Sequence, residues 1–103
     1  MSEGADPTGE EQRIVLPKAL HKGDVFDALL DEVRLVDTQT PVIFDASGVE
    51  RMTTSCALLV LATARAQEAG DANTIIENPS GVFVDAFSDL GLFDQLMTLE
   101  FRT

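Results

Sequence analysis

Two kinds of hydrophobic pattern alternate along this chain. In the first, apolar residues recur every three or four positions opposite charged ones, the pattern of an amphipathic helix. In the second, a few apolar residues follow one another directly, which is typical of a strand buried on both faces. The predicted elements are a strand at 13–16, a helix at 24–36, a strand at 42–44, a helix from Thr53 or Thr54 to Ala69, a strand at 74–77 and a helix that Ser80 caps and that ends at Leu90.

Local signals place the ends of the helices. Asp24 is suited to cap the first helix, and Gly70 is placed as a left-handed stop for the second. Gly91 is expected to end the third helix, with Leu92 folding back on Phe87. The first half of the second helix is apolar on nearly every side, so we expect that half to be buried. The segment 93–101 fits either a short helix or a closing strand.

The alternation of strands and helices predicts an α/β fold with mainly parallel strands and right-handed crossovers. Residues 1–12 contain four acids and no apolar pattern, so they are predicted to form a disordered acidic tail. Residues 13–103 then form one domain, in keeping with a length of 103 residues.

Charge narrows the choice of partners. The chain carries 7 basic and 18 acidic residues, a net charge of −11. This argues against nucleic acid and anionic membranes, both of which need a basic surface, and favours a protein partner. The sequence shows neither a signal peptide nor an apolar stretch long enough for membrane insertion. Cys56 is the only cysteine, which excludes an internal disulfide and fits a reducing cytoplasm.

Catalytic chemistry has little support in the sequence. His21 is the only histidine, and a pair with Cys56 would join a polar loop to the start of the second helix. The chain lacks the ligand clusters of a metal site and the glycine pattern of a phosphate loop. We therefore expect no enzyme, no catalytic residue, no cofactor and no metal.

Three consecutive hydroxyl residues, Thr53, Thr54 and Ser55, stand where the second helix begins. One hydroxyl is enough to cap a helix, because it accepts a hydrogen bond from one of the unpaired N–H groups. A phosphate at the same place would meet free amide donors and the positive end of the helix dipole. Capping and phosphorylation are both open as explanations of these residues.

An ordered set of motifs resembles the STAS domain, the family of bacterial anti-sigma-factor antagonists. The family pattern is a strand ending in Asp, a Gly-containing loop, Asp-Ser-Ser-Gly-Leu at the start of a helix that ends in Gly, a strand ending in Asn-Pro and a helix ending in Leu-Gly-Leu. The matching residues here are 42–58, Gly70, 75–79 and 89–93, so the resemblance extends over about 13–101.

The resemblance implies a small mixed, largely parallel sheet of four to five strands with helices mainly on one face. It also implies a signal-transduction role: the unmodified domain binds an anti-sigma factor, which is a serine kinase, and phosphorylation releases it. By position the acceptor serine is Thr54, the second serine is Ser55 and the aspartate is Thr53. The implied interaction face consists of Asp45, Ser47, Met52, Thr53, Thr54 and Ser55.

The chain departs from the family pattern at three positions: Thr53 replaces Asp, Thr54 replaces Ser and Cys56 replaces Gly. Two branches of the family show such departures. One is associated with bacterial chemotaxis and acts on the chemotaxis histidine kinase. The other provides a non-catalytic subunit of lipid-transport complexes. The altered motif is more similar to the chemotaxis branch.

Overall fold

The structure, a computed structural model, describes residues 11–102. Its elements are β1 (Gln12–Val15), β2 (Ala19–Leu20), α1 (Gly23–Arg34), β3 (Val42–Asp45), β4 (Arg51–Met52), α2 (Thr54–Ala69), β5 (Thr74–Glu77), α3 (Gly81–Asp89), α4 (Phe93–Leu96) and β6 (Glu100–Arg102). The predicted tail at 1–12 lies outside the described residues, except for Glu11 and Gln12. Gln12 opens β1, one residue before the predicted start of that strand.

Four strands form one sheet in the order β1-β3-β5-β6. Each neighbouring pair is parallel, and one register row runs through Ile14, Phe44, Ile76 and Phe101. The predicted α/β fold with a small, largely parallel sheet is therefore confirmed. Within residues 11–102 this sheet has no antiparallel pair.

The helices pack on the face of the sheet that carries this row. Side chains alternate between the two faces of a strand, so Ile14, Phe44 and Ile76 point to the same side. These residues share one buried cluster with Leu29 of α1, Ala57 and Val60 of α2, Phe83 and Phe87 of α3, and Leu96 of α4. The expectation that the helices lie mainly on one face holds for residues 11–102.

The opposite face of the sheet carries charged side chains beside Ile43 and Ile75, which are each 2% exposed. Arg13 of β1 reaches across β3 and bonds both carboxylate oxygens of Glu77. Arg102 of β6 pairs with Glu11 at 3.0 Å. The hydrogen bond from Arg13 holds the pKa of the Glu77 carboxyl below its ordinary value. This face is therefore crossed by ion pairs from one edge strand to the other.

A second, two-stranded sheet pairs β2 with β4 in parallel. Its strands lie between the elements that the sequence pattern predicts. The start of α1 also differs from the prediction: the N-cap is Lys22 without a side-chain bond, and Asp24 lies inside the first turn. The helix ends at Arg34, two residues earlier than predicted.

Gly70 ends α2, but it is not the left-handed residue that the sequence predicts. Its φ is −95°, and the left-handed residue is Asp71, at 65°. A Cβ on Gly70 would lie 2.8 Å from the carbonyl carbon and the Cβ of Thr38, and closer still to the carbonyl oxygen of Thr38. Glycine is therefore required here by close backbone approach.

The end of α3 follows the prediction. Gly91 has φ 71°, and the N–H of Leu92 donates to the carbonyl of Phe87 at 2.8 Å. The segment after it contains both alternatives, since the short helix α4 is followed by the closing strand β6. Among the helices of residues 11–102, none combines the length and apolarity needed to cross a membrane.

Candidate functional site

The first turn of α2 is capped by Thr53. Its backbone is extended, with φ −107° and ψ 168°, as expected of an N-cap residue. Its Oγ1 accepts from the N–H of Cys56 at 3.4 Å, and its carbonyl accepts from the N–H of Ala57 at 3.2 Å. One of the three hydroxyls thus has the capping role that the sequence pattern left open.

The other two hydroxyls, those of Thr54 and Ser55, are exposed. Neither their side chains nor their backbone N–H groups have a hydrogen-bond partner within residues 11–102. The first turn of this 16-residue helix contains no acidic residue. Two hydroxyls and two amide donors therefore meet solvent at the positive end of the helix dipole.

Cys56 anchors this turn to the rest of the molecule. The side chain is fully buried, and its Sγ donates to the carbonyl oxygen of Leu20 in β2 at 3.1 Å. His21, the next residue after Leu20, is exposed. The thiol thus bonds the backbone of β2, and within residues 11–102 no hydrogen bond joins Cys56 to His21. Sequence reasoning missed this contact, because β2 is too short to show a pattern.

Asp45 and Ser47 form a separate part of the predicted interaction face. The hydroxyl of Ser47 donates to Asp45 at 2.7 Å, and its N–H donates at 3.1 Å. These bonds, with Arg13 at 3.9 Å, hold the pKa of the Asp45 carboxyl below its ordinary value. Strand alternation places Asp45 on the charged face of the sheet. Within residues 11–102 no hydrogen bond or ion pair joins this pair to the start of α2.

Two apolar residues border the exposed hydroxyls. Met52 of β4 is half-buried and packs against the core. Leu58 is 50% exposed and lies one helical turn after Thr54, on the same side of α2. The expectation that the whole first half of α2 is buried is therefore wrong at Leu58. The sheet covers only one side of this helix, so an outward leucine stays in solvent.

Other chemistry has no assembled site near these residues. In the described part of the chain, no group of three or more His, Cys, Asp or Glu side chains is placed to hold a metal ion. A cleft of about 410 Å³ lies between the C-terminal half of α2 and the segment from α4 to β6. That position is at the opposite end of α2 from Thr54.

Comparison of the chain with protein-family models, with curated proteins and with solved structures gives no match. The start of α2 combines two exposed hydroxyls, free amide donors and adjoining apolar surface, and the buried Cys56 fixes this turn to β2.

Proposed function

We propose that this chain is a regulatory protein-interaction module of the STAS type. It binds a partner kinase or anti-sigma factor through the start of α2 and is switched by phosphorylation there. The observation that supports this proposal is the division of roles among the three hydroxyls. Thr53 caps the helix, while Thr54 and Ser55 stay exposed and without partners in residues 11–102.

A phosphate at this position would change the surface and leave the fold intact. It would add a charge of about −1.5 to −2 near neutral pH. The exposed N–H groups of Thr54 and Ser55 and the helix dipole would stabilise that charge. Because both side chains already point into solvent, the modification displaces no buried group.

The apolar neighbours explain why a phosphate would release a partner. Leu58 and Met52 supply hydrophobic area beside the hydroxyls, and docking would remove this area from water. A phosphate beside Leu58 would have to lose its hydration in the same step, which is costly for a dianion without a paired cation. The unmodified surface is then the binding form.

The proposed partners are cytoplasmic regulatory kinases, either the serine kinase of an anti-sigma system or the chemotaxis histidine kinase. The single cysteine is a buried free thiol, as a reducing compartment permits. The proposed module has no catalytic residue of its own. Its output is the presence or absence of a protein contact.

The proposal is tested with a purified serine kinase of the anti-sigma type, the class of partner proposed above. The kinase and ATP are incubated with the purified protein, and the tryptic peptide between Arg51 and Arg65 is examined for phosphate. We expect one phosphate on Thr54 or Ser55, lost in the double variant Thr54→Ala/Ser55→Ala. Ser88→Ala, which removes an exposed hydroxyl on α3, is the matched control.

Modification of Ser88 with none on the peptide would contradict the switch. Tight binding of the kinase without any modification would instead favour a constitutive subunit, the alternative role within a larger complex.

A further inference from the structure

The C-terminal third of the chain has an extreme charge distribution. Residues 66–101 contain seven carboxylates and no lysine, arginine or histidine. Asp85 and Asp89 of α3 and Asp94 of α4 are exposed, and none of the three forms an ion pair within residues 11–102. The ionisable side chains of α3 and α4 are therefore all carboxylates.

Large apolar side chains are exposed directly after α3, at the start of α4 and directly after α4. Leu90 is 38% exposed, Phe93 40% and Met97 45%. Phe93 and Met97 are one turn apart, and the N–H of Met97 donates to the carbonyl of Phe93 at 2.9 Å. The core contact of α4 is made by Leu96, which is fully buried. The exposed parts of Leu90, Phe93 and Met97 are therefore not needed to pack α4 against the core.

This surface is separate from the start of α2. The hydroxyl of Ser80, at the start of α3, donates to the carbonyl of Val49 in the loop that leads to α2. From there α3 extends over nine residues, or about 13 Å, away from that loop. Leu90, Phe93 and Met97 follow at its far end.

Charge selects the kind of molecule that fits this surface. A second copy of the chain would bring like charges together, since the net charge is −11. Residues 1–12 contain four acids and no basic side chain, so they are repelled as well. Nucleic acids and anionic lipid surfaces fail for the same reason. A protein segment that carries cations around an apolar stripe is complementary both to the exposed carboxylates and to the exposed apolar side chains.

We propose that the acidic surface around Leu90, Phe93 and Met97 is a second docking site, which binds a cationic amphipathic helix of a protein partner. The partner helix would place its apolar stripe on Phe93 and Met97, while its lysines or arginines would pair with Asp85, Asp89 and Asp94. Helix-in-groove recognition of this kind depends on anchors spaced three or four residues apart.

The probe is a synthetic helical peptide of leucine and lysine, with leucines every three or four positions. The full chain, labelled with ¹⁵N, is titrated with this peptide while its amide shifts are followed. We expect the largest shifts in residues 82–97. A peptide of the same composition in scrambled order, and one with glutamate in place of lysine, should bind at least about tenfold more weakly.

Matched variants separate this site from general attraction to an acidic protein. Neutralising Asp85, Asp89 and Asp94 to Asn should weaken binding about tenfold, because three exposed ion pairs are lost. Neutralising three exposed acids of α1 by Asp24→Asn, Asp27→Asn and Glu32→Gln makes the same charge change elsewhere and should alter affinity by less than about twofold.

The apolar contribution has its own pair of variants. Phe93→Ala/Met97→Ala should weaken binding of the peptide about tenfold. Leu35→Ala, at an 85% exposed leucine after α1, should leave the affinity unchanged. Shifts centred on α1, equal losses from the two charge variants, or self-association of the chain through Phe93 would each overturn the proposal. Thr54→Glu should leave peptide binding unchanged, so this test is independent of the switch at α2.

Discussion

Gly70→Ala discriminates between two explanations of a helix-ending glycine. At φ −95° and ψ 10° alanine is conformationally allowed. If the space around Gly70 were open, the substitution would stabilise the protein by about 0.4–1 kcal/mol through the unfolded chain. The structure gives the opposite sign, because the added methyl would lie 2.8 Å from two carbon atoms of Thr38.

The magnitude follows from what has to move. The overlap is with the backbone of Thr38 as well as its side chain, so rotation of a side chain cannot relieve it. A hydrogen bond also fixes the segment around Thr38 to α2, because the Nε2 of Gln67 donates to the carbonyl of Thr40 at 2.7 Å. Overpacking of this kind costs about 1–3 kcal/mol. Subtracting the unfolded-state gain of about 0.4–1 kcal/mol from a mid-range cost of about 2 kcal/mol leaves an expected net loss of about 1–1.6 kcal/mol.

Urea denaturation at neutral pH measures this loss, and the midpoint should fall by about 1 M. Gly81→Ala is the control, because Gly81 is helical and a Cβ added there would meet nothing within 4 Å. That variant should be as stable as the parent chain or more stable. If Gly70→Ala and Gly81→Ala both stabilise the protein, Gly70 does not approach Thr38 as closely as the structure shows.

Three further outcomes are expected. Thr53→Ala should lower stability by about 1 kcal/mol through loss of the cap, while Ser55→Ala should stay within about 0.5 kcal/mol; equal effects in urea would contradict the assigned roles. In the same urea assay Cys56→Gly should destabilise the protein by about 2 kcal/mol, and Cys56→Ser, which keeps a donor for the carbonyl of Leu20, should destabilise it by less. Because Arg13 lowers the pKa of the Glu77 carboxyl, the stability that this ion pair contributes is complete at neutral pH and is lost as the pH falls through the folded-state pKa. The stability difference between the parent chain and Glu77→Gln, measured in urea, should therefore shrink below about pH 5, and a difference independent of pH would refute this assignment.

The sequence predicted the parts of the fold that repeat a pattern. The buried runs at β3 and β5 and the amphipathic spacing of α1 are long enough to identify those elements. The ends of α3 were also predictable, because Ser80 and Gly91 act through local backbone geometry. Such signals depend only on neighbours in the chain.

The features that the sequence missed depend on distant contacts. The strands β2 and β4 have two residues each, too few for any periodicity, and they exist because they pair with each other. The need for glycine at position 70 comes from Thr38, 32 positions earlier in the sequence. The exposure of Leu58 follows from the side of α2 that the sheet leaves uncovered.

At the candidate site, sequence identified the hydroxyl cluster but could not assign its roles. Any of the three residues 53–55 satisfies the preference for an N-cap. The extended backbone of Thr53 selects that residue, and the exposure of Thr54 and Ser55 follows from the choice. A shift of one residue in the start of α2 would have exchanged these roles.

The most direct test of the proposed switch is the affinity of the chain for the proposed partner kinase, measured by titration calorimetry with Thr54→Glu/Ser55→Glu. Ala28→Glu/Gln39→Glu makes a matched charge change at exposed positions of α1 and of the loop after it, outside both proposed docking sites. We expect the first variant to bind at least about tenfold more weakly than the parent chain, and the second to bind within about twofold of it. Equal affinity of the parent chain and Thr54→Glu/Ser55→Glu would contradict the claim that the start of α2 is a phosphorylation-controlled docking face.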